Sequence, residues 1–188
     1  PLNEVGLAQA KATGERIAVQ WRPAAVYTSP LSRAVKTAEA IAGHFSLGIQ
    51  PHPSLLDIDY GQWHGLTPEE VATRWPNDFA IWQESPHLAH IPGGETLDDL
   101  RRRGMAAVHE LATKHPHEAI VLVGHTVINR IILLGVLGLG NERFWHLRQD
   151  TCAINTFETK NEDFILVSLN DTSHLLPMRS VGLSSRKP

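Results

Sequence analysis

The alternation of apolar and polar positions divides the chain into short strands and longer amphipathic helices. Ala119 to Val123 is a continuous apolar run rich in β-branched residues, and it reads as a strand buried on both faces of a parallel sheet. Gly124 lets the chain turn, after which Val127, Ile128, Ile131, Ile132 and Leu134 continue at helical spacings. His125 therefore falls between a strand end and a helix start. In an α/β sheet that edge is where ligands bind, and free helix N–H groups there favour an anion. A simpler reading is that His125 only caps the helix.

Elsewhere, Leu7, Ala10, Ile17 and Ala18 recur near the helical period, so residues 1–20 are expected to be a helix started by Pro1 and Asn3. Ala24 to Thr28 reads as a short strand. Ser29-Pro30-Leu31-Ser32-Arg33 turns it into a helix whose small face, Ala34, Thr37 and Ala38 with Ile41, can lie close to a sheet. Ile49 to Pro53 suits an edge strand, where proline is tolerated, and Leu55 to Gly65 reads as a loop. Thr67 caps a short helix with Pro68 at its first position, and Trp75-Pro76 is expected to close it. Asn77 to His90 would then form a lid-like subdomain anchored by Trp75 and Trp82. Thr96 caps a helix that turns Leu97, Leu100, Gly104, Val108 and Leu111 inward and leaves Asp98, Asp99, Arg102 and Arg103 as a solvated face. Thr151 to Lys160 and Asp163 to Asn170 read as a hairpin closed by Lys160-Asn161-Glu162. Ser173 to Leu176 is expected to pack back on the domain, and 177–188 to be a polar tail.

With 188 residues, 42% hydrophobic and 20% charged, the chain fits one domain, expected at 1–176. A net charge of -3 gives no general attraction to nucleic acid or anionic membrane, and no apolar run reaches the roughly 18 residues of a membrane span. A single cysteine, Cys152, excludes an intrachain disulfide and suits a reducing, cytoplasmic setting. Eleven histidines invite a metal, but His87 with His90 and His115 with His117 lack metal-site spacing, so no metal is expected. No cofactor is expected either, because Gly135, Gly138 and Gly140 follow a helix, the wrong context for a dinucleotide loop. A serine hydrolase is disfavoured by the absence of a Gly-x-Ser-x-Gly elbow.

These elements predict an α/β sandwich with candidate site residues at successive strand ends: Arg33, Asp57 and His125. Arginine offers a fork of donors to a phosphate, histidine acts as donor or acid/base near neutral pH, and an acid can protonate a leaving oxygen. Each has a plain structural role as an alternative: Arg33 as a surface arginine, Asp57 as a turn former, His125 as a cap.

The chain resembles the histidine phosphatase family, which includes phosphoglycerate mutase and related phosphatases. Thr28-Ser29-Pro30-Leu31-Ser32-Arg33-Ala34 with Thr37-Ala38, Asp57 to Gly65, Pro92-Gly93-Gly94-Glu95-Thr96, Val123-Gly124-His125 and Asn170 to Leu175 carry the likeness in the family's order. It implies a three-layer α/β/α sandwich with a mostly parallel sheet, phosphoglycerate mutase-like. It also implies that Arg33, His125 and Thr126 hold the phosphoryl group, that His125 stabilises its developing charge, and that Asp57 donates a proton to the leaving oxygen. Two departures stand out. The family usually carries Glu at position 57, and Asp59 is a second acid nearby. The family's nucleophile is the histidine of an Arg-His-Gly motif ending the first strand, and no Arg-His-Gly occurs here. Pro1-Leu2 corresponds to the stretch after that motif. The family's first strand lies between those matching Ala119 to Val123 and Cys152 to Thr159, so the chain looks like such a domain without it.

The expected function is hydrolysis of a phosphomonoester through a phosphohistidine, with the nucleophile upstream and this chain alone inactive. The alternatives are a non-catalytic phosphate-binding or interaction module on the same fold, and a phosphoglycerate mutase. The short segment between Gly65 and Pro92 argues against the mutase. The implied partner is a small phosphorylated metabolite, with neither nucleic acid nor membrane, and a homodimer is compatible with the chain.

Overall fold

Strand β1 (Ala25–Thr28) is buried along its whole length and organises the computed structural model, which describes residues 1–160 and 163–176. It pairs in parallel with β2 (Ile49–Pro51) on one side and β3 (Ile120–Val123) on the other, setting Val26 beside Ile49 and Val121. Helix α1 (Glu4–Gln20) starts at Asn3, whose side chain accepts from the Gly6 amide. The β1 to β2 crossover runs through α2 (Ser32–Ala42). Two short helices follow, α3 (Pro68–Arg74) and α4 (Pro76–Glu84), then α5 (Leu97–Lys114) before β3 and α6 (Thr126–Val136) after it. A separate antiparallel hairpin, β4 (Ile154–Lys160) and β5 (Asp163–Asp171), follows, and a helical turn at Ser173–Leu175 then packs back on the domain with Leu175 buried and His174 bonded to Thr13 of α1.

Alternation along β1 divides the core in two. Ala25 and Tyr27 join a cluster with Leu100, Val108 and Leu111 of α5 and Ile128, Ile131 and Leu134 of α6. Val26 faces the other way, onto Ile17 of α1 and Ala34, Ala38 and Ile41 of α2. The architecture is therefore α/β/α, with the sheet in the middle. The hairpin extends that layer: Phe157, Phe164 and Leu166 pack on the α5/α6 side, whereas Ile154 packs on the α1/α2 side.

Three expectations are corrected. Pro76 does not merely close α3; it occupies the first turn of α4, where its missing N–H costs nothing. The stretch expected as a lid is thus helical from 76 to 84, and Trp82 packs edge-on against Trp63. Ile120, Val121 and Leu122 are only half-buried, because β3 is an edge of the three-stranded sheet and the hairpin does not hydrogen-bond to it. Gly124 serves close approach rather than an unusual turn: a Cβ there would meet Ile128 Cγ2 at 3.2 Å and crowd the Asn129 side chain. Residues 161 and 162 of the hairpin turn and the tail 177–188 lie outside the described residues.

Candidate active site

The carboxyl ends of β1 and β3 lie side by side, so Ser29 and His125 emerge next to each other. His125 holds the N-cap position of α6 in extended backbone, yet its ring does not cap the helix. Its Nε2 lies 2.7 Å from Ser29 Oγ, and its Nδ1 accepts from Arg33 Nε at 3.1 Å. An acceptor at Nδ1 must be unprotonated, which places the single ring proton on Nε2, donated to Ser29. The electrostatics agree. Burial, then the positive charges of Arg33 and Arg103, push the imidazole down to about 4.

Arg33 also reaches Asp57, with Nη2 3.8 Å from Oδ2. Burial raises the Asp57 carboxyl above its ordinary range and outweighs the opposing pull of the Ile58 amide, Arg33, the Ile128 amide and Arg103. Its Oδ1 is buried without a hydrogen-bond partner. Arg33, Asp57 and His125 thus converge on one point: a cation with half its side chain exposed, a neutral imidazole and an acid inclined to hold its proton. Thr126, the first residue of α6, is exposed at the same helix start. Asp59 stands apart from this group, because its Oδ1 accepts from Gly61 N at 2.8 Å and shapes the loop instead.

What holds the Asp57 loop is Arg103, which the helical pattern placed on a solvated face of α5. All five of its N–H donors are used. Nε and Nη2 each lie 2.8 Å from the Glu95 carboxylate, while Nη1 and Nη2 reach the carbonyls of Ser54, Leu56 and Asp57 at 2.8 to 2.9 Å. Glu95 in turn accepts from the Asp59 amide at 2.9 Å, and its own amide donates to the Asp59 carbonyl. Gly61 sits at a positive φ of 46° against the Pro92 carbonyl and the Gly94 amide, a contact that leaves no room for a Cβ. Amphipathic spacing gave no sign of this clamp, since it responds to side-chain polarity and not to what a polar group meets. The signal available was Arg103 standing near the Pro92-Gly93-Gly94-Glu95 turn. Ser29 was visible only as a member of its motif.

A family model described as the histidine phosphatase superfamily, branch 1, matches residues 1–172. The chain belongs to the histidine phosphatase superfamily. "Phosphoserine phosphatase 1" of Hydrogenobacter thermophilus is 31% identical over 174 residues, covering 93% of this chain and 82% of that protein. "Metal-independent phosphoserine phosphatase" of Arabidopsis thaliana is 34% identical over 187 residues, covering 98% and 76%. Among solved structures, Bacillus stearothermophilus YhfR superposes with a TM-score of 0.88 at 28% identity, covering 93% of this chain and 87% of that one. The histidine phosphatase fold accounts for the order of elements found here. Among the described residues no group of His, Cys, Asp and Glu is placed to hold a metal, and no helix is long and apolar enough to cross a membrane.

Proposed function

We propose that this chain forms the phosphate-binding and proton-donating part of a phosphomonoester hydrolase that works through a phosphohistidine. The convergence of Arg33, Asp57 and His125 carries the reading. Arg33, a half-exposed cation, meets the phosphoryl oxygens, and His125 and Thr126 at the α6 start face the charge that develops on them. An imidazole nitrogen attacks phosphorus, the bond to the leaving oxygen breaks, and the Asp57 proton passes to that oxygen. Water then attacks the phosphorus, the P–N bond breaks, and the water's proton returns to Asp57 as inorganic phosphate leaves.

His125 faces the site as a charge stabiliser, its ring already committed to Ser29 and Arg33. The attacking imidazole is assigned to a strand ending in Arg-His-Gly that pairs with β3, upstream in sequence. The edge position of β3 and its half-buried side chains support that assignment, as does a hairpin that packs on both core clusters without bonding to β3. Phosphoserine is the first substrate to try, because two relatives about a third identical carry that name. The test compares the 188-residue chain with the same chain preceded by a strand ending in Arg-His-Gly, using p-nitrophenyl phosphate and phosphoserine. The longer protein should turn over and yield an acid-labile phosphoprotein, and the shorter one should not. Turnover by the short chain that Ala at His125 abolishes would make His125 the nucleophile instead. Phosphate binding with turnover by neither form would return the chain to a phosphate-binding module.

A further inference from the structure

Arg130 lies on α6, five residues after His125, and is only 8% exposed. Its guanidinium stands 4.5 Å from the Phe144 ring centre and 5.0 Å from that of Trp145. Among the described residues no carboxylate pairs with it and no hydrogen bond reaches it, and its Nε is buried without a partner. Stacking on two rings offsets part of the cost of burying a cation but satisfies none of its N–H donors. A guanidinium held in this way is prepared for an anion arriving from outside the chain.

Its position says which anion. Tyr60 is within electrostatic reach of both Asp57 and Arg130, and burial followed by the Asp57 charge pushes its phenol up to about 12, so it remains a neutral donor. The Tyr60 ring meets Trp82 edge-on at 6.0 Å, and Trp82 meets Phe144 and Trp145 at 6.0 and 6.4 Å. These rings form a wall that leads from the acid to the arginine. A leaving group whose oxygen meets Asp57 would have Tyr60, and beyond it Arg130, as neighbours, since Tyr60 feels the charge of both.

We propose that Arg130 is a specificity-determining residue that binds a carboxylate carried on the leaving alcohol, so that the site selects phosphorylated hydroxy or amino acids over phosphate esters without an acid group. The inference rests on the phosphatase reading for its orientation of the substrate. The full chain is titrated calorimetrically with phosphoserine, with phosphoethanolamine, which lacks only the carboxylate, and with inorganic phosphate. Phosphoserine should bind roughly tenfold tighter than phosphoethanolamine, the gain of one charge-assisted contact. Arg130→Met, which keeps an apolar stem against Phe144 and Trp145, should erase that difference and leave inorganic phosphate unaffected; Arg130→Lys should keep part of it.

Equal affinities in the unmodified chain, or a preference that survives Arg130→Met, overturn the assignment. Circular dichroism melting checks that each variant folds, and if the methionine variant does not fold the lysine variant decides the matter: a reduced preference supports Arg130, an unchanged one overturns it. Arg33→Ala separates the two readings. Loss of phosphate affinity without any carboxylate preference leaves the phosphatase site standing and Arg130 wrongly assigned. An Arg130-dependent preference with phosphate affinity indifferent to Arg33 does the reverse. Absence of binding by all three probes overturns both.

Discussion

Arg103→Met removes the clamp on the Asp57 loop while keeping an unbranched apolar stem. It takes away five donors at once: two on the Glu95 carboxylate and three on the carbonyls of Ser54, Leu56 and Asp57. A hydrogen bond to a charged group contributes about 1.5–3 kcal/mol net, and breaking a buried ion pair costs about 3–5 kcal/mol. The Arg103 and Glu95 side chains are 23% and 24% exposed, so water partly replaces what is lost. The expected destabilisation is therefore about 3 kcal/mol. It should depend on pH. Arg103's hydrogen bonds are the largest influence on Glu95 and hold its carboxyl below the ordinary 4.5, although burial opposes them. That contribution is complete above the unfolded carboxyl's pKa and is lost as pH falls through the lower folded value, so the two proteins should converge in stability in acid. Urea unfolding at neutral and acid pH measures the difference, and amide exchange at Asp59 and Gly61 reports on the loop. A neutral-pH loss below about 1 kcal/mol with unchanged exchange would refute the clamp, since a surface ion pair contributes no more than that.

Three further outcomes follow from the same geometry. Arg33→Ala should weaken inorganic phosphate binding more than Arg33→Lys in a titration, since lysine keeps the charge and loses the fork; equal losses would contradict bidentate contact. His125 should titrate near 4 by NMR, and stability should fall as pH drops from about 6.5 to about 4, because the unfolded imidazole takes up its proton first; a titration near 6.5 would remove the buried neutral ring from the argument. Gly61→Ala should lower the melting temperature, the sign of about 1–3 kcal/mol of backbone strain at a positive φ together with the Pro92 and Gly94 contacts; an unchanged melt would show that the turn can shift.

Hydrophobic periodicity located the strands and main helices because each buries a repeating face. Ala34, Ala38 and Ile41 of α2 and the inward positions of α5 are buried as the spacing required, whereas Thr37 is not in the core and its hydroxyl donates to the Arg33 carbonyl. Periodicity missed α4, where proline acts as a starter and not as a stop, and it misjudged β3, since an apolar run reports what a strand prefers to bury and not whether a neighbour covers it. At the site, Arg33, Asp57 and His125 were legible from strand-end positions and motif order, and they meet. Arg103 and Arg130 were not. Both are charged residues on helices, and polarity alone does not distinguish an arginine in water from one that holds a loop or stacks under two rings.

The edge of β3 also bears on how the molecule behaves in a crowd of its own copies. Edge strands are usually protected by lysines, prolines or bulges, and Ile120-Val121-Leu122-Val123 carries none of these. The backbone groups that β3 turns away from β1, on alternate residues, form a template for strand addition, and a neighbouring chain can supply the strand as well as a covalent extension can. A neighbour's strand should then dock once at β3, because the hairpin lies beyond it in the same layer, and a soluble peptide able to pair with that edge should compete with it. Colloidal stability and the reach for an attacking imidazole would then depend on the same four residues.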